Sequence, residues 1–229
     1  MTADDRTALA SAWPLFGLRI RSEHLVLRLP TDTDLEGLMA VAQRGIHPPG
    51  AMPFGIAWST MPSPDFERGF LQHHWGLRGS WTPDDWKLNL MIQLDGQPIG
   101  SQSIHAQRFA VMRDVDTGSW LGQAFQGRGF GREMRAAVLA FAFDALDARV
   151  ATTEAFLDNA ASGGVSRSLG YADNGRGSLA PEGVARETQR YRMTVERWRS
   201  RPRPPITIEG LEACRAMFGA VPCSGGADR

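Results

Sequence analysis

Cysteine is nearly absent: Cys214 and Cys223 are the only two in 229 residues. Two thiols cannot build a disulfide framework or a four-ligand zinc site, and both are expected to stay reduced. Net charge is absent as well, because 25 lysines and arginines balance 25 aspartates and glutamates. Such a chain has no global field to gather nucleic acid or an anionic membrane, so a charged substrate must meet a local cluster. No run approaches the ~20 apolar residues that span a bilayer. Met1–Trp13, which carries Asp4, Asp5 and Arg6, lacks the apolar centre of a secretory signal, so a cytoplasmic location is expected. There is no internal repeat. No Gly-x-Ser-x-Gly elbow or His-Glu-x-x-His pair occurs, which argues against serine and zinc hydrolases. His73-His74 reads as part of an exposed helix face rather than a metal site.

What is present is the balance of a soluble globular domain, 42% hydrophobic and 22% charged. Residues 1–12 read as a flexible tail, 13–198 as the folded domain and 199–229 as a C-terminal extension. Leu25, Leu27 and Leu29 alternate as a strand ended by Pro30, and Thr31 or Thr33 can cap a helix bearing Leu35, Leu38, Met39 and Ala42. Prolines and glycines break residues 45–64, with Met52, Phe54, Ile56, Trp58 and Met61 between them. That loop is either a pocket wall or lid, or core beneath a loop. A helix follows from Asp65 to about Arg78.

Trp86, Leu88, Leu90 and Ile92 alternate with Lys87, Asn89, Met91 and Gln93, and Asp95-Gly96 turns the chain into a second strand. A strand spans Asp114–Gly122. A helix over 132–146 carries apolar residues on two sides and must be deeply buried. A strand at 150–157, a helix at 160–169 stopped by Gly170, and a strand at 187–196 follow. Ile206–Gly219 adds a strand and a helical turn. The fold class is mixed α/β (α+β), with a central mixed sheet flanked by helices.

The chemistry lies between a strand and the start of the long helix, at Gln126-Gly127-Arg128-Gly129-Phe130-Gly131-Arg132. Free N–H groups at a helix N-terminus attract anions, and glycines admit close approach. Arg128 and Arg132 add positive charge, so the segment reads as a phosphate or pyrophosphate cradle. A dinucleotide fingerprint would need glycine where Arg132 stands, and no Gly-Lys-Ser/Thr ending makes it a P-loop.

Gln126-x-x-Gly129-x-Gly131 resembles the first signature of the GNAT superfamily of N-acyltransferases. Asn159-x-x-Ser162-x-x-Val165, ending in Leu169-Gly170-Tyr171, resembles its second. Glu23-His24-Leu25-x-Leu27-Arg28 is similar to the opening of the ribosomal-protein acetyltransferase branch. The segments 45–58, 116–122 and 133–138 resemble actinobacterial members, among them a mycobacterial protein regarded as a succinyltransferase.

The resemblance implies two parallel strands that splay at the sheet centre, about 116–123 and 150–157. It implies acyl-CoA, acetyl or succinyl, as co-substrate and no metal. Its pyrophosphate would lie on Gly127, Arg128, Gly129, Phe130, Gly131 and Arg132 after Gln126, a backbone N–H near Leu121 to Gln123 would stabilise the oxyanion, and Asn159 and Ser162 would contact the pantetheine or adenosine side. Direct attack by a primary amine on the thioester needs a base, and the candidates are Asp116, Glu154 and His105. Ser162 and Tyr171 are candidate acids. The acceptor is a protein amine or a small molecule, and self-association is expected, with the apolar tail after Ile206 as a contact. The other class of function is a non-catalytic acyl-CoA binding or sensing module. If the donor is succinyl-CoA, Arg44, His47, Lys87 and Arg113 are available to its carboxylate.

Overall fold

The computed structural model describes residues 9–220. Cys223 and residues 1–8 of the expected tail lie outside the described residues. Residues 9–12 are helical.

Among the described residues nine strands form one sheet. In chain order the elements are β1 (Arg19–Arg21), β2 (Leu25–Arg28), α1 (Asp32–Gln43), α2 (Asp65–Gly79), β3 (Asp85–Leu94), β4 (Gln97–Gln107) and the short α3 (Phe109–Met112). Then come β5 (Asp114–Leu121), α4 (Phe130–Ala140), β6 (Val150–Phe156), α5 (Ala160–Leu169), β7 (Ala172–Leu179), β8 (Arg186–Thr194), α6 (Val195–Arg199), β9 (Thr207–Glu209) and α7 (Leu211–Cys214). Spatial order across the sheet is β7-β8-β6-β5-β4-β3-β2-β1-β9. Every pairing is antiparallel except β5 with β6.

Local chemistry explains most of these elements. Thr31 and Asp34 form a reciprocal capping box at the start of α1. Asp95 and Gly96 both take positive φ, 50° and 78°, as the two-residue β3–β4 turn requires. Gly170 ends α5 at φ 92°. The strand β7 was not foreseen. Its sequence, Ala-Asp-Asn-Gly-Arg-Gly-Ser-Leu, carries turn residues and almost no apolar alternation. It holds an edge position against β8 through a register shift between Asp173 and Arg176.

The long helix begins two residues earlier than expected and is not α-helical to its end. After Ala140 it continues as a π turn over Phe141–Ala145. Met134 to Ala140 are all buried, so this helix forms the centre of the main core. His74 also departs from expectation. It is 5% exposed and packs against Phe70, and burial first, with His73 and Arg78 adding to it, drives its pKa down to about 3.

Residues 206–220 are not appended to the domain. β9 pairs with β1 and becomes the sheet edge. Phe218 is fully buried, ringed by Trp81, Trp86 and Phe141 at 5.0 to 5.5 Å. The indole N–H groups of Trp81 and Trp86 donate to the carbonyls of Met217 and Phe218, at 2.9 and 3.1 Å. Of the tail expected as a subunit contact, Leu211, Cys214 and Phe218 are buried within this chain.

Candidate active site

The site grows out of the parallel pair β5 and β6. β5 and β6 are in register only from Asp114 opposite Val150 to Asp116 opposite Thr152. Beyond that point the backbone ladder stops, although β5 runs on to Leu121 and β6 to Phe156. Side chains take over at the apex. Thr117 Oγ1 donates to the Thr152 carbonyl at 3.1 Å, and Thr153 Oγ1 to the Thr117 carbonyl at 2.8 Å. Past the apex Gly118–Leu121 and Glu154–Phe156 are no longer paired with each other, although β5 stays paired with β4 and β6 with β8.

At the open end of β5 stands the glycine turn. Gly127 and Gly129 take φ of 73° and 89°, which costs any other residue strain. A Cβ at either would meet nothing within 4 Å, so the turn presents bare backbone to open space. Gly131 differs from the sequence reading. Its φ is ordinary for a helix, and a Cβ would make only van der Waals contact with Val165 at 3.6 Å. The N–H groups of Arg132 and Glu133 bond back to the Gly129 carbonyl. Those of Phe130 and Gly131 belong to the first turn of α4, which has no internal acceptor for them. Arg128 and Arg132 are exposed beside it, and the Phe130 side chain is buried, so only its backbone faces this turn. These residues fit a pyrophosphate.

Other expected contacts divide. Gln126 fastens the turn from within, its amide nitrogen donating to the carbonyls of Ile46 and Leu121, both at 2.8 Å. The Gln123 side chain is exposed, and its N–H bonds the Gly45 carbonyl at 3.0 Å. Leu121 is buried at the end of β5 and approaches Gly131. Asn159 caps α5, its Oδ1 accepting from the Ser162 N–H at 3.1 Å.

On the outer face of the sheet Lys87, His105, Asp116, Thr152 and Arg192 stand in register across five neighbouring strands. Asp116 is at the splay apex. Its side chain is open to solvent yet crowded by protein, and this desolvation raises its pKa, opposed by a hydrogen bond from Thr152 at 3.0 Å and by the charge of Arg135. A carboxylate with a raised pKa beside a strand gap is suited to taking a proton. His105, directly opposite it, turns to Asp85 instead, Nε2 to Oδ1 3.2 Å. Glu154 is occupied by the Thr188 hydroxyl and by Arg190 at 3.4 Å. Ser162 lies on α5, separated from the strand of Asp116 by α4 and β6. Tyr171 is fully enclosed on the inner face, and burial raises its pKa.

The loop over 46–61 is an aromatic wall. Trp58 packs among Phe54, Phe66, Phe70 and Trp120 at 5.2 to 6.2 Å, and Trp120 belongs to β5. Arg186 fixes the loop to β8. It donates to the Met52 carbonyl at 2.6 Å, pairs with Asp158 at 2.7 Å and lies 4.1 Å over Phe156. Of the cations considered for a donor carboxylate, Arg113 bonds the Leu146 carbonyl and His47 bonds Ser59.

Comparison with known families decides the matter: the acetyltransferase (GNAT) domain matches residues 24–172. The chain belongs to the GNAT family. Solved structures agree on the fold. Mycobacterium smegmatis RimJ, solved in complex with CoA-disulfide, has a TM-score of 0.61 at 18% identity, over 87% of this chain and 92% of that one. A GNAT-family acetyltransferase from Bacillus anthracis gives 0.59 at 14% identity, over 78% and 99%. The microcin C7 self-immunity acetyltransferase MccE, solved with acetyl-CoA and AMP, gives 0.58 at 16%, over 75% and 93%. Membership makes this chain an acyltransferase. Among the described residues no helix is long and apolar enough to cross a membrane.

One buried charged side chain beside the site was not among the residues expected there. Arg135 sits in the most apolar stretch of α4, 3% exposed, and reaches the inner face of the splay. A charge in a helix that must be buried all round was the available signal.

Proposed function

We propose that this GNAT protein moves an acetyl or succinyl group from CoA directly to a primary amine, with Asp116 as the base. The observation that carries this reading is the break in the β5–β6 ladder beyond Asp116 and Thr152, with a bare glycine turn at its open end. The gap offers unpaired backbone to an extended, amide-bearing arm, and the turn offers N–H groups to its phosphates. Asp116, on the opposite face from α4, takes the proton of the attacking amine. The half-buried aromatic wall of Phe54, Trp58 and Trp120 lines the approach on that face. The acceptor is a primary amine on a protein or a small molecule.

Calorimetric titration with acetyl-CoA, succinyl-CoA and CoA, on the native chain and on Gly129→Glu, tests it. Binding to the native chain and loss in the variant, which brings a carboxylate and a strained φ to the turn, support the pyrophosphate site. No binding to the native chain overturns the reading. Binding without acyl transfer to any amine makes the protein a sensing module instead.

A further inference from the structure

We propose that the inner side of the splay holds a built anion site centred on Arg135, and that it receives an anionic group at the reacting end of the thioester. The inference rests on the acyltransferase reading and adds the charge that the donor brings.

Arg135 Nη1 donates to Thr153 Oγ1 of β6 at 3.1 Å, and Nη2 to Ser119 Oγ of β5 at 3.1 Å. Its Nε meets Gln102 Oε1 of β4 at 3.4 Å. The guanidinium thus bridges the two strands where their ladder has stopped. None of these three partners is charged. Asp116 acts on it only from the other face of the sheet. A buried guanidinium held by hydroxyls and an amide keeps most of its charge uncompensated and has N–H groups to spare.

A second side chain points the same way. Tyr171 is 4% exposed, and its hydroxyl makes no well-aligned hydrogen bond, although Thr117 and Arg135 stand beside it. A buried hydroxyl left unpaired costs free energy that an incoming acceptor group recovers. Gln102, Thr117 and Thr153 complete the lining and are all buried. An acetyl methyl is poorly matched to a lining of this kind. An anion is well matched, since the spare N–H groups of Arg135 and the unpaired hydroxyl of Tyr171 can donate hydrogen bonds to it.

The position is also right. From Leu121, at the glycine turn, back to Thr117 is about 13 Å of extended strand. That is the reach of an arm with the chain length of about four residues. Two anions occur at that end of the substrate pair: a carboxylate terminating the acyl group, and the thiolate released when the amine displaces sulfur. Both are single negative charges seeking donors, and solution measurements separate them.

Full-length protein is titrated with succinyl-CoA and with butyryl-CoA, which have similar lengths but differ in the carboxylate. Ultraviolet absorbance of the thiolate then follows ionisation of bound CoA across pH. If the carboxylate is the ligand, succinyl-CoA binds about tenfold tighter or more. If the thiolate is the ligand, bound CoA ionises at lower pH than free CoA. In either case Arg135→Met removes the effect, Arg135→Lys keeps part of it, and Tyr171→Phe weakens it. The native comparison needs no variant, so a variant that fails to fold does not protect the proposal. Equal affinities together with an unshifted thiol overturn it, as does an effect that survives in folded Arg135→Met. Failure of CoA itself to bind overturns the acyltransferase reading instead.

Discussion

Thr152 donates its hydroxyl to Asp116 across the parallel pairing of β5 and β6, Oγ1 to Oδ2 3.0 Å. The bond favours the charged carboxylate and opposes the desolvation that raises its pKa. Thr152→Val removes it, so the Asp116 pKa rises further. A base must be deprotonated to act, so the acid limb of the kcat/KM profile moves to higher pH. Asp116→Asn lowers kcat by about 10²-fold or more while leaving CoA affinity in place. A pH–rate profile of both variants checks this, and an unmoved acid limb in Thr152→Val removes Asp116 from the role.

Gly129 and Gly131 should respond differently to alanine. At Gly129 the positive φ makes any side chain cost roughly 1 to 2 kcal/mol whatever the space. At Gly131 the backbone is helical and the Cβ fits, so Gly131→Ala keeps stability or raises it slightly. Thermal melts and CoA titrations of the two variants, made side by side, test the distinction.

Asp34 ties β2 to α1. Burial raises its pKa, but the bonds from Arg28 at 2.6 Å and from Thr31 outweigh this and hold it at about 2. Its folded pKa is depressed, so its contribution is present above the ordinary value of 3.8 and is lost as pH falls toward 2. The contribution is about 2 kcal/mol at neutral pH. Urea midpoints measured between pH 2 and 6 should fall less steeply in Asp34→Asn than in the native chain.

The C-terminal segment should prove indispensable. Phe218→Ala empties a fully buried site between Trp86 and Phe141 and should cost about 3 to 5 kcal/mol. Truncation after Arg199 removes β9 and Phe218 together and should leave no cooperative unfolding transition. A stable truncated domain would restore the view of these residues as an extension.

The sequence marked the turn at Asp95-Gly96, the cap at Thr31, the stop at Gly170 and the phosphate turn before α4, because each depends on a few adjacent residues. It missed β7, whose residues favour turns, since pairing with β8 overrides local preference at an edge. Arg135 went unremarked because its neighbours Met134 and Ala136 to Ala140 define the helix by their apolar character. The site divides along the same line. Two signature motifs determined the family and the place of the glycine turn. The partners of the candidate bases were decided by the sheet: Glu154 is bonded by Thr188, His105 by Asp85 and Asp116 by Thr152. Only tertiary structure sets that, because hydrogen-bond partners twenty or more residues apart meet through strand register, and register belongs to the whole sheet.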